Sequence, residues 1–179
     1  TAFEQFIQDF GRIDILFGNG GSNWGNRKPV TEFDDEKFPI NINVNLHGGT
    51  YMLAKLAIPY MIKQGGGSIM FTSSVCGVTG LRKQCGFVAS KFAISALTRS
   101  MALEYGKYGI RVNSITPGPF PNPRNQDDAA FNAQLANKTM LGRFGQSYEI
   151  AGAILLLASD ASSFMTGSNV TVDGGWTAW

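Results

Sequence analysis

Charged residues are scarce: Asp, Glu, Lys and Arg make up 16% of the 179 residues, below the roughly 25% usual for soluble domains. So bare a surface predicts cover, from a subunit partner or from a further piece of the same fold. Histidine occurs once, at His47. The two cysteines, Cys76 and Cys85, have neither a CxxC spacing nor a histidine neighbour. No metal site or redox pair is therefore signalled, and a reducing compartment is expected. No apolar run reaches the length of a membrane span. Residues 1 to 10, with Glu4 and Asp9, read as a helix rather than a signal peptide, so the expectation is a cytoplasmic protein with no membrane partner. The net charge of +2 contains no basic run, and Arg82-Lys83 is an isolated pair, so no nucleic-acid partner is expected either.

The remaining composition suits one domain with a substantial core, since 44% of the residues are hydrophobic. Phe3, Phe6, Ile7 and Phe10 share one face of an opening helix that Gly11 ends. Asp14 to Phe17 predicts a short strand, broken by Gly18-Asn19-Gly20-Gly21, turn formers that allow a backbone to approach a ligand closely. A long helix is expected from about Pro39 to Gln64, kinked at Pro59 and stopped by glycines 65 to 67. Strands at 68–73, 110–116 and 169–172 alternate with helices at 87–105 and 149–158. Residues 119 to 138, rich in Pro, Asn and Asp, read as a mobile, lid-like loop. The alternation predicts an α/β fold, a Rossmann-like doubly wound parallel sheet covered on both faces.

Phe87 stands four residues before Lys91 and thirteen after Ser74. Residues i and i+4 share a helix face, so a strand-end hydroxyl, a ring and an ammonium are expected in one cluster. Ser74 with Lys91 permits a Ser-Lys hydrolase by chain order, but Ser74 lacks the Gly-x-Ser-x-Gly elbow and His47 has no acid near it in sequence.

Ser73-Ser74, Ala89-Ser90-Lys91, Ile110-Arg111-Val112-Asn113, Pro117-Gly118 and Val172-Asp173-Gly174-Gly175 occur in that order over nearly the whole chain. In them the sequence resembles the short-chain dehydrogenases/reductases, and its segments 175–179 and 117–121 look most like members acting on sugar acids or other polyols and on acyl ketones. The resemblance implies an NAD- or NADP-dependent oxidoreductase interconverting a small-molecule carbonyl and a secondary alcohol, built as a homodimer or homotetramer. Ser74 would orient the substrate oxygen. Lys91 would bind the nicotinamide ribose and lower the pKa of a neighbouring tyrosine. Asn45 would anchor a proton relay through its backbone carbonyl. Asn19, Gly20 and Gly21 would lie near the adenine ribose, and Pro117 and Gly118 beside the nicotinamide. Tyr51, Met52, Leu56, Phe92, Leu97 and Met101 place apolar side chains on more than one helix face, which suits burial against both the sheet and a second subunit, with core packing alone as the alternative.

The sequence departs from that family in three places. Phe87 replaces the tyrosine that handles the substrate proton, and a phenyl ring neither donates nor accepts a hydrogen bond. A non-catalytic member used for binding or assembly is therefore the rival reading. The glycine-rich turn that seats a dinucleotide pyrophosphate on a helix N-terminus is absent before residue 14. Residues 1–179 thus read as the C-terminal two-thirds of such a domain, with roughly 60 to 70 residues expected ahead of Thr1 or supplied by another chain. Finally, Gly18 occupies a usual asparagine position and Pro121 a frequent threonine position.

Overall fold

The computed structural model describes residues 2–25, 27–121 and 129–179. Helix α1 (Ala2–Phe10) precedes strand β1 (Ile15–Gly18). A continuous helical run follows as α2 (Lys37–Asn41), a π-helical segment (Ile42–Met52) and α3 (Leu53–Gln64). Strand β2 (Gly67–Thr72), helix α4 (Cys85–Tyr105), strand β3 (Ile110–Pro117), helices α5 (Ala129–Ala136) and α6 (Ala151–Ala158), and strand β4 (Asn169–Val172) complete the order. The strands form one parallel sheet in the order β1-β2-β3-β4, with Ile15 opposite Ser68, Gly67 opposite Ile110, and Ser114 opposite Asn169.

Parallel strands need helical crossovers, which cover both faces and make the strands apolar throughout. Ile69-Met70-Phe71 shows this: Ile69 and Phe71 pack with Ala54, Ile58 and Ile94 on one face, and Met70 packs with Ile115 and Leu157 on the other. The doubly wound Rossmann-like sheet read from the sequence is present, within a single domain. At the edge of the described sheet, Ile15 of β1 is 48% exposed.

As expected, α3 holds Pro59, runs on to Gln64 and ends at Gly65 in the left-handed region. Two local expectations are revised. Helix α4 starts at Cys85, two residues earlier than the sequence suggested. Residues 129–136, expected within a lid-like loop, form α5; residues 122–128 of that stretch lie outside the described residues. Of the apolar set assigned to association, Met101 is buried and Leu97 packs against the core, whereas Tyr51, Leu56 and Phe92 are exposed. Among the described residues, no helix is long and apolar enough to cross a membrane.

The family-like motif residues near β3 are structural pins. Arg111 donates to the Leu157 and Ser159 carbonyls at the end of α6. The amide of buried Asn113 donates to the Met165 carbonyl and accepts from the Ser168 N–H. Asn113 thereby satisfies backbone groups of the turn that leads into β4.

Candidate active site

In a parallel sheet the loops after the C-terminal strand ends open the cleft. Thr72 ends β2, and Ser74 caps the short turn Val75–Gly77 in extended backbone, its Oγ accepting from the Cys76 N–H at 3.1 Å. A hydroxyl has one donor and two lone pairs. Its capping role uses one lone pair, and its hydroxyl also hydrogen-bonds the Cys76 sulfur, a weak acceptor that a ligand oxygen would displace. Ser73, pointing the other way, donates to the Lys91 carbonyl and meets Ser95 Oγ at 3.0 Å, fastening β2 to α4.

Phe87 and Lys91 share a face of the first turns of α4. The Lys91 ammonium lies 5.7 Å from the centroid of the Phe87 ring and donates to the Thr72 carbonyl at 2.7 Å. Lys91 is 5% exposed. Burial disfavours its charged form and pulls its pKa down to about 8, with nearby Cys76 opposing weakly. Burial likewise pushes the Cys76 thiol up, against a hydrogen bond from Ser74 and the positive charges of Lys91 and Lys138.

One cavity of about 650 Å³ is lined by Asn19, Gly21, Ser74, Phe87, Lys91, Pro117 and Gly118 together, a size ordinary for ligand sites. Asn19 accepts from Thr72 Oγ1 at 2.6 Å, tying the loop after β1 to β2. The Gly118 N–H donates to the Val172 carbonyl at 3.0 Å, so the turn after β3 rests on β4. A Cβ on Gly21 would sit 3.2 Å from Asn45 Oδ1 and 3.4 Å from Lys91 Nζ. That glycine is where the loop must pass close to both side chains. Gly20 is not: a Cβ there would meet nothing within 4 Å. The crowding occurs at its neighbour instead, since a Cβ on Gly49 would lie 2.7 Å from the Gly20 carbonyl oxygen.

Asn45 and Gly20 do not line the cavity. The Asn45 side chain accepts from the Ser22 N–H at 2.7 Å and donates to the Ser22 carbonyl and to Ser90 Oγ, each at 2.9 Å. Asn45 lies within the π-helical segment, where its backbone carbonyl accepts from Thr50 Oγ1 at 3.0 Å. Asn41, one turn earlier, repeats the clamp. It accepts from the Trp24 N–H at 3.1 Å and donates to the Trp24 carbonyl at 2.7 Å and the Lys37 carbonyl at 2.9 Å. Two amides at i and i+4 thus imitate a strand, pairing with alternate residues of the cavity-lining loop, while Gln84 accepts from the intervening Asn23 at 2.7 Å.

Sequence reasoning passed over Asn41, Gln84 and Thr72. The only available signal was the i, i+4 spacing of Asn41 and Asn45 on a helix whose other face is apolar. Asn41 is 0% exposed, so Asn41→Ala removes its three bonds to the Trp24 and Lys37 backbone and opens a void. The expected loss is about 2–4 kcal/mol of unfolding free energy, to be read from urea denaturation. A loss under about 0.5 kcal/mol would show that water replaces the clamp without cost.

The sequence model of the enoyl-(acyl carrier protein) reductase family matches residues 1–177. A 3-oxoacyl-(acyl-carrier-protein) reductase of Thermotoga maritima is 38% identical over 96% of this chain and 69% of its own length. A trans-4-hydroxycyclohexanecarboxylate dehydrogenase of Sinomonas cyclohexanicum is 37% identical over 96% of this chain and 63% of its own. A gluconate 5-dehydrogenase from Burkholderia cenocepacia, solved with NADP and tartrate, superposes with a TM-score of 0.93 at 35% identity, covering 99% of this chain and 70% of that one. With motifs, sheet order and relatives in agreement, the chain belongs to the short-chain dehydrogenase/reductase family of oxidoreductases.

Proposed function

We propose that this chain serves NAD- or NADP-dependent interconversion of a small-molecule carbonyl and a secondary alcohol, with turnover strongly reduced by Phe87. The observation that carries this reading is the convergence of Ser74, the Phe87 ring and the buried Lys91 ammonium on one cavity. The donor set fits the nicotinamide-ribose part of such a cofactor: a buried ammonium beside Gly21, where a side chain would crowd its approach. Lys91 would hold the ribose, Asn19, Gly21, Pro117 and Gly118 would border the cofactor, and Gly20 would shape the same loop. The bound nicotinamide supplies or takes up the hydride.

Reduction breaks the C=O π bond, forms a C–H bond with the hydride pair and needs a proton for the new O–H. Ser74 would orient the oxygen by donating to it. Asn45 would serve the relay through its carbonyl, whose other lone pair accepts from Thr50. Phe87 has no proton to give, and this is also what favours the second reading, a non-catalytic member used for binding or assembly. Exposed Tyr51, Leu56 and Phe92 support a homodimer or homotetramer under either reading.

Titration with NADPH and NADH, followed by cofactor fluorescence, tests the proposal. Saturable binding in the micromolar range supports the oxidoreductase reading. Absence of binding to both cofactors sinks it and leaves the non-catalytic reading.

A further inference from the structure

We propose that Gln84 is a specificity-determining residue for the substrate, its carboxamide N–H donating to a second, uncharged oxygen carried beside the reacting one. The inference rests on the oxidoreductase reading above and adds to it a residue with a role of its own. Gln84 is 7% exposed, yet it lines the cavity together with Ser74, Phe87 and Lys91. Its Oε1 accepts from Asn23 Nδ2 at 2.7 Å. That bond orients the carboxamide and leaves both Nε2 protons with no acceptor among the described residues. A carboxamide carries two N–H donors besides its acceptor oxygen, and buried donors are rarely left without a partner.

Two further features point the side chain at the cavity rather than at its own helix. Gln84 is the N-cap of α4, a position whose side chain ordinarily accepts from the first free N–H groups, but it makes no capping bond. Lys83, just before it, has φ 63 and is the one non-glycine in the left-handed region among the described residues. Backbone held in that region clusters at ligand sites. Position then says what the donor meets. The Gln84 carbonyl accepts from the Val88 N–H at 2.9 Å, which fixes its place on the helix. Gln84, Phe87 and Lys91 follow one another at i, i+3 and i+7 on one face. Lys91, where the ribose would be held, lies roughly 10 Å along the axis from Gln84. Phe87, between the two, marks the place of the reacting oxygen. Gln84 therefore addresses the part of the substrate that extends away from the cofactor. The amide and its partner Asn23 are both neutral, so the group selected is an uncharged acceptor, a carbonyl or ether oxygen. Phe87 leaves this contact intact, because it needs no proton transfer.

The carboxamide oxygen of the nicotinamide is the other uncharged acceptor the same donor could meet, and the experiment separates the two. Cyclohexane-1,4-dione and 4-methylidenecyclohexanone are nearly alike in shape and differ by one acceptor oxygen. Each is titrated into the full chain and followed by saturation-transfer NMR of the ligand. The dione is expected to bind about three- to tenfold tighter, the range of one neutral hydrogen bond, against the factor of two that its symmetry alone supplies. Gln84→Met should reduce the advantage to that factor. Gln84→Glu is the sharper variant, since it keeps an acceptor for Asn23 and removes only the donor; the advantage should fall as far or further. Far-UV circular dichroism and melting confirm that each variant is folded. An advantage no larger than the symmetry factor in the parent chain overturns the inference, whether either ligand binds measurably or not. So does an advantage that survives Gln84→Glu, which would leave Gln84 as an anchor for Asn23 alone, or a Gln84→Glu variant that weakens NADPH and spares the dione. Failure of the oxidoreductase reading looks different: the dione's advantage and its loss in Gln84→Glu persist, while neither cofactor binds.

Discussion

Phe87→Tyr should raise NADPH-dependent carbonyl reduction by about 10²- to 10⁴-fold, the usual worth of a positioned general acid. The ring is the same and the site already holds both partners a phenol would need. Lys91 offers a positive charge beside the ring, which favours the phenolate and lowers the phenol's pKa. Ser74 brings a hydroxyl to the same cavity, beside the weakly accepting Cys76 thiol. A partly buried phenol takes such partners when they are within reach. The gain should fall on kcat rather than KM, because the proton is needed only as the new O–H forms. NADPH oxidation at saturating cofactor measures it, with the unsubstituted chain as reference. An unchanged kcat in a variant that still binds NADPH would place the obstacle elsewhere than in Phe87.

Much of the fold was legible because parallel strands leave a plain trace. Segments such as Ile69-Met70-Phe71 are apolar on both faces, short, and bounded by turn residues, and no helix pattern competes for them. The missed helix α5 shows the converse. Ala129 to Ala136 carries good helix formers without an apolar stripe, and the Pro- and Asn-rich residues before it made the whole stretch read as loop. The π-helical segment at Ile42–Met52 has no composition of its own. It is set by tertiary contact, where Gly49 meets the Gly20 carbonyl and Asn45 clamps Ser22, and no local pattern announces that.

Within the site, the i, i+4 pair of Phe87 and Lys91 could be placed from spacing alone, since helix geometry is local. The glycines could not be sorted so easily. A run such as Gly20-Gly21 reads as freedom to approach a ligand, but only Gly21 faces functional side chains, Asn45 and Lys91. Arg27 and Phe131 gave no sign of each other, because the stack that joins the loop after β1 to α5, 3.6 Å from guanidinium carbon to ring centroid, exists only in the tertiary fold. Sites assembled by long-range closure are silent in sequence, whereas those built on one helix turn are not.

Replacing Lys91 should change how stability depends on pH. Its ammonium is held down to about 8 by burial, against 10.5 for an ordinary lysine. Below pH 8 the group is charged in both folded and unfolded chains, and folding bears the full desolvation penalty. Between pH 8 and 10.5 the folded chain has released the proton and the unfolded chain still binds it, so stability rises with pH by about 3 kcal/mol from this group. Cys76 and Tyr105 act in the opposite direction, because burial raises both of their pKa values and the unfolded chain loses those protons first. The difference between the parent chain and Lys91→Met cancels the Tyr105 contribution and the burial part of that of Cys76, whose thiol also feels the Lys91 charge. Urea denaturation from pH 7 to 10.5 should therefore show Lys91→Met losing ground to the parent steadily as pH rises. Parallel pH profiles for the two proteins would mean that the ammonium is hydrated in solution and not desolvated by the fold. The same titration bears on the cofactor. If the charged form holds the ribose, NADPH binding to the parent chain should weaken as pH climbs past 8, and in Lys91→Met it should be weak throughout and nearly independent of pH.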